Sequence, residues 1–149
     1  KSLTAAMGRG SLTVGVSSAI RALKPDVKVV GAEPETTASA ALSPKMGSPQ
    51  VFKEWKLSFV DGAGGQSVFP RMWDRMKNIV DDYRVVTLDE TKKAMRLMAE
   101  KARVIAEGAG ALSLAVALRG DLPGPIVCVV SGGNIDPAKL AAILTGQPV

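Results

Sequence analysis

Three glycine-bearing segments carry the residue types best suited to chemistry. Gly8-Arg9-Gly10-Ser11-Leu12 opens onto a helical pattern. A glycine loop at a helix start is a natural anion cradle, because unpaired N–H groups and the positive helix end converge there. Arg9 adds a charge. Ser131-Gly132-Gly133-Asn134 follows an apolar run and offers a hydroxyl on open backbone. Glu107 heads Gly108-Ala109-Gly110-Ala111, and a carboxylate on so apolar a helix is costly to bury unless something specific meets it. Asp61-Gly62-Ala63-Gly64-Gly65 is the third turn. Each has a plainer reading: a glycine turn, a βα turn without a ligand, or, for Glu107, a helix cap. If the three turns cluster they make one ligand site, with a phosphate held at one and a hydroxyl offered at another.

The elements that would position these residues follow from periodicity and caps. Ile126-Val127-Cys128-Val129-Val130 reads as a strand buried on both faces, as a central parallel strand is. Asp136 reads as an N-cap with Pro137 at the first helical position, and a last helix runs over 138–144 and stops at Gly146. Leu3 to Met7 reads as the tail of a strand and 13–23 as a helix ended by Lys24-Pro25-Asp26. Val27 to Ala32 is the next strand, closing on Glu33-Pro34, and 36–42 is a short helix. From Ser43 to Gln66 the pattern is irregular, and 53–60 fits a short strand or a helical turn equally well. A helix is expected over 67–80, with Met72, Trp73, Met76, Ile79 and Val80 on its apolar face. Tyr83 to Val86 is a strand. Thr87-Leu88-Asp89-Glu90 has capping-box spacing and opens a helix to about Lys101. The small-residue helix after Glu107 runs to Leu118 and closes at Gly120. Strand and helix alternate, which predicts an α/β fold: an open, mostly parallel sheet with helices on both faces.

Composition bounds the function. A chain of 149 residues, 46% hydrophobic and 22% charged, suits one globular domain. The net charge of +5 comes from scattered rather than blocked basic residues, and aromatics are only 4%, which disfavours nucleic-acid binding. There is no histidine, which excludes histidine-based triads and most zinc sites. The single cysteine, Cys128, falls in the apolar run and reads as core. No disulfide framework can form, which fits a reducing, cytoplasmic setting. No segment reaches membrane-spanning length.

Read in order, Gly8–Leu12, Val30-Gly31-Ala32-Glu33-Pro34, Val60-Asp61-Gly62, Val80-Asp81-Asp82, Ala106-Glu107-Gly108-Ala109-Gly110-Ala111 and Ser131-Gly132-Gly133-Asn134-Ile135-Asp136 resemble the serine/threonine dehydratases. These are pyridoxal-phosphate enzymes of the tryptophan-synthase-β-like fold (fold type II), close also to serine racemase. The resemblance implies that 1–149 is the C-terminal part of the cofactor-binding large domain. It implies β-elimination of L-serine or L-threonine to a 2-oxo acid and ammonia, in a homo-oligomer. It implies that the amides of Gly8, Arg9, Gly10, Ser11 and Leu12 take the cofactor phosphate. By the same resemblance Ser131 of the Ser131-Gly132 pair meets the pyridine nitrogen, while Glu107 and Gly62 line the ring.

The sequence departs from that pattern in three places. The family's four-glycine loop is here Gly8-Arg9-Gly10-Ser11. Some relatives bind a divalent cation through the Glu before Pro and an Asp six residues on; Glu33 matches, but position 39 is Ser39. The Schiff-base lysine of the family's Ser-x-Lys motif does not precede Gly8, and Ser43-Pro44-Lys45 is a poor imitation of it. The resemblance therefore places the catalytic lysine, and the small domain, in an N-terminal portion of the same enzyme, without which this chain is expected to be inactive. Two other readings remain open to the residues. One is a dinucleotide-binding unit using Gly8-x-Gly10 and Glu33, although Thr13 stands where the third glycine belongs. The other is a non-catalytic half-domain that needs a partner chain.

Overall fold

The computed structural model describes all 149 residues. Four parallel strands form one sheet in the order β3-β2-β1-β4, with β1 at Ser2–Ala6, β2 at Lys28–Pro34, β3 at Asp82–Val86 and β4 at Ile126–Cys128. Six α-helices connect and cover it: α1 Ser11–Leu23, α2 Ser39–Met46, α3 Pro70–Met76, α4 Leu88–Leu97, α5 Gly108–Ala117 and α6 Pro137–Thr145. Asp61–Ala63 is a 3-10 turn, and Met98–Ala102 extends α4 by a π-helical turn. The expected α/β architecture stands, with helices on both faces.

β1 is the central strand and is buried throughout. Alternation along it feeds two cores. Leu3 and Ala5 pack with Val29 toward Val16 and Ile20 of α1, whereas Ala6 joins Leu112, Ala115 and Val116 of α5. Its polar members are satisfied: the Thr4 hydroxyl donates to the Ser113 carbonyl at 3.0 Å and the Ser2 hydroxyl to the Pro123 carbonyl at 2.8 Å. Met7, Val14, Trp73 and Met76 form a further cluster between α1 and α3. No helix is long and apolar enough to cross a membrane.

Several expectations need correction. Among the four strands of this chain β4 lies at the edge and is not buried on both faces: it pairs with β1 alone, and Val127 is 58% exposed. An apolar run reports affinity for a sheet but not position within it. Cys128 is accordingly half-buried. The helix expected over 36–42 lies at Ser39–Met46, because the Glu33 carboxylate caps the amides of Ala40 and Ala41 and fixes its start. Residues 53–60 form neither strand nor helix; the region holds only an isolated antiparallel bridge between Val51 and Ser67. The helix expected over 67–80 is shortened to Pro70–Met76, yet Met72, Trp73, Met76, Ile79 and Val80 still pack into one cluster. The local caps fare better. At Thr87 both halves of the capping box are made, and Asp136 accepts from Ala138 and Lys139.

Candidate active site

The carboxyl ends of β1 and β4 open onto a cavity of about 340 Å³. Strand ends in open α/β sheets are where ligands bind, since the loops there splay apart and helix N-termini point inward. Its wall holds Gly8, Arg9, Gly10, Ser11 and Leu12 on one side, Gly62 on another, and Glu107 and Ser131 on a third. Ala6 and Ala109, which the sequence reading did not single out, complete the lining. The three glycine turns therefore do cluster. Gly8 lies against Ala63, and a Cβ at Gly62 would come within 3.0 Å of the Glu107 Oε1.

The glycines are there for close approach. A Cβ at Gly110 would fall 2.4 Å from the Gly132 carbonyl oxygen, and one at Gly133 would fall 2.7 Å from that of Ile105. The Glu107 N–H donates to the Gly132 carbonyl at 3.1 Å and so stitches the 131–133 turn onto the head of α5. Gly132 does not line the cavity but abuts Glu107, whose Oε1 would lie 2.5 Å from a Cβ there. The small-residue composition of α5 is thus the condition for β4, its turn and α5 to meet at one place. Ser113 adds a tie, its hydroxyl donating to the Val129 carbonyl at 2.8 Å.

The first loop is an unfilled donor array. After Met7, whose N–H pairs with Ala32, none of the backbone N–H groups from Gly8 to Thr13 donates to a protein acceptor. Gly10 supplies the left-handed turn (φ 99°) that starts α1, with no side-chain cap and no acidic residue in the first turn. α2, α4 and α6 differ: their starts are capped by Glu33, Thr87 and Asp136. Successive free amides at an uncapped 13-residue helix make an electropositive cradle that fits a phosphate group.

Glu107 corrects the sequence reading twice. It is half-buried rather than buried, and its carboxylate accepts no hydrogen bond, so it does not cap α5. It faces the cavity unspent, as does the exposed Ser131 hydroxyl. Glu33 is the opposite case. It is wholly buried and accepts from Ala40 at 2.8 Å and Ala41 at 2.7 Å. Burial pushes its carboxyl up to about 8 against the opposing pull of those two amides. With both oxygens spent and no group of three or more acidic, cysteine or histidine side chains near it, Glu33 does not fit a divalent cation. Nor can it reach a ribose hydroxyl, and the Thr13 side chain donates to the Ala6 carbonyl, so the dinucleotide-binding reading lacks both its acid and its third glycine.

Two bracing residues escaped the sequence reading. The Thr37 hydroxyl donates to the Ala63 carbonyl at 2.9 Å and the Trp55 indole N–H to that of Gly64 at 3.0 Å. Together they hold the 61–65 turn against the site. No periodicity signals such contacts, because they join a loop to a loop.

Comparison with known proteins agrees with this geometry. Residues 1–132 match the family described as pyridoxal-phosphate dependent enzyme. An L-threonine ammonia-lyase of Thermotoga maritima is 36% identical over 132 residues, covering 87% of this chain but 33% of that protein. The chain thus spans about a third of the length of such curated relatives. A crystal structure of a T.th. threonine deaminase superposes with a TM-score of 0.86 at 30% identity, over 91% of this chain and 50% of that one. Maize serine racemase superposes equally well, with a TM-score of 0.86 at 26% identity, over 97% and 46%.

Proposed function

The chain belongs to the pyridoxal-phosphate dependent enzymes, and from that premise we propose that it builds most of the cofactor pocket of an L-threonine or L-serine dehydratase. That enzyme converts its substrate to a 2-oxo acid and ammonia. The observation that carries this reading is the run of unpaired amides from Gly8 to Thr13, converging on one cavity with an unspent carboxylate and an unspent hydroxyl.

The residues fit the cofactor by type and place. The amides of Gly8 to Leu12 would hold its phosphate, and the Ser131 hydroxyl would meet the ring nitrogen. Bound there, the cofactor supplies an electron sink for β-elimination. A hydroxyl hydrogen-bonds that nitrogen without forcing a proton onto it, as a carboxylate would, and so moderates the sink. Gly62 and Gly132 leave Glu107 room at the cavity wall, where its carboxylate would flank the bound ring. The carbonyls of Ala63 and Gly64 are tied to Thr37 and Trp55, so the cavity wall keeps its shape as ligands enter.

In this reading the lysine that anchors the cofactor belongs to another portion of the same polypeptide, and the chain works in the cytoplasm. The half-exposed edge of β4 is where that portion would continue the sheet. The test uses the full-length protein. A visible absorbance band that borohydride abolishes, together with 2-oxo acid formed from threonine or serine, is the expected result. Absence of both band and product rejects the proposal.

A further inference from the structure

Arg9 is the one charged residue of the amide cradle, and its side chain has no role so far. Its guanidinium sits 4.9 Å from the centroid of the Phe69 ring. Its stem crosses Gly65, where a Cβ would come within 3.1 Å of the Arg9 Cγ. Gly65 thus clears the path and Phe69 supplies the platform. The side chain makes no ion pair and no hydrogen bond within the protein, whereas Arg21, Arg84 and Arg119 all hold carboxylates. Among the residues lining the cavity only Arg9 and Glu107 are charged. The 61–65 turn borders both: its Gly62 abuts Glu107 and its Gly65 abuts Arg9. The side chain is thus laid over Gly65 onto Phe69 from a loop whose N–H groups are free, and no carboxylate of the protein pairs with its charge.

We propose that Arg9, steadied on Phe69, is a dedicated counter-charge for the cofactor's phosphate, added to the amides of the cradle. The inference rests on the cofactor reading above. A phosphate monoester carries close to two negative charges at neutral pH, while a helix N-terminus offers about half a positive charge. The amides alone leave the dianion undercompensated, and a guanidinium beside them offsets the rest. Phosphate binding should then depend on salt more strongly than amide contacts alone would make it.

The experiment compares the full-length enzyme with its Arg9→Gly, Arg9→Lys and Phe69→Leu variants. Each is stripped of cofactor and titrated with pyridoxal 5'-phosphate and, separately, with pyridoxal, which lacks the phosphate. Arg9→Gly should weaken pyridoxal phosphate by roughly tenfold, the order of one charge-assisted contact, and flatten its salt dependence. It should leave pyridoxal affinity unchanged. Arg9→Lys should recover part of the loss, and Phe69→Leu should lose less than Arg9→Gly. Phosphorus NMR gives a second readout: the bound phosphate should stay dianionic to lower pH in the wild type than in Arg9→Gly. Equal losses for both cofactors would mean a structural role and overturn the proposal, as would no loss for either. If the wild type binds neither compound, the cofactor reading itself fails, which is a separate outcome.

Discussion

Two carboxylates stand at comparable places, each ahead of a helix of small residues, and they have opposite fates. Glu33 closes β2 and is wholly buried, with both oxygens on the amides that start α2. Glu107 precedes α5, is half-buried and accepts nothing, although glycines press on it from two sides. The first is structural, because its hydrogen-bonding capacity is spent on its own fold. The second is available, because the fold positions it and leaves it unpaired. What separates them is burial together with satisfaction of the oxygens, not sequence context, and this can be probed by removing each in turn.

The largest expected effect is on stability at Glu33. Glu33→Ala would strand the Ala40 and Ala41 amides and open a cavity, and should cost about 3 kcal/mol in denaturant unfolding. A loss within about 0.5 kcal/mol would erase the contrast. Gly110→Ala comes next. The Cβ would strike the Gly132 carbonyl oxygen, so the turn must move off α5, at a net cost of about 1–3 kcal/mol despite alanine's better helix propensity. Glu107→Gln should do the reverse of Glu33→Ala. Its melting midpoint should match the wild type, while turnover of the full-length enzyme falls; a drop in midpoint with turnover intact would swap the two roles.

The remaining effects concern pH and are opposite in sign. Glu33 has a folded pKa of about 8, raised from 4.5 by burial. The folded state therefore holds its proton more tightly than the unfolded chain does. Its contribution to stability is full below 4.5 and is lost as pH rises through about 8. Glu90 is lowered from 4.5 to about 2, chiefly by its hydrogen bond with Arg119. Its contribution is present above 4.5 and lost as pH falls toward about 2. Stability curves for Glu33→Gln should lack the alkaline slope and those for Glu90→Gln the acid one. Slopes unchanged from wild type would contradict both assignments.

Much of this was legible in the residues where the signal is local. The Thr87–Glu90 capping box, the Asp136-Pro137 start of α6 and the Gly146 stop all appear where spacing puts them. The three glycine turns were readable as places of close backbone approach, and they do meet around one cavity. What was not legible depends on contacts across the fold. The edge position of β4 is set by pairing partners, not by its apolar run. The start of α2 is set by Glu33 from outside the helix. Glu107 looked like the buried acid, because composition near a residue does not reveal who donates to its oxygens; the resemblance offered Glu33 as a cation ligand only with Ser39 standing where its partner belongs. The Phe69 platform under Arg9 and the Thr37 and Trp55 braces are invisible for the same reason.

The most direct measurement is amide hydrogen exchange on the full-length protein with and without pyridoxal 5'-phosphate. Protection should rise at Gly8 to Thr13 and across Ser131 to Gly133, while the Ala40 and Ala41 amides, already held by Glu33, stay as they were. Cofactor binding with no gained protection at Gly8 to Thr13, or with its gain at the start of α2, would contradict the account.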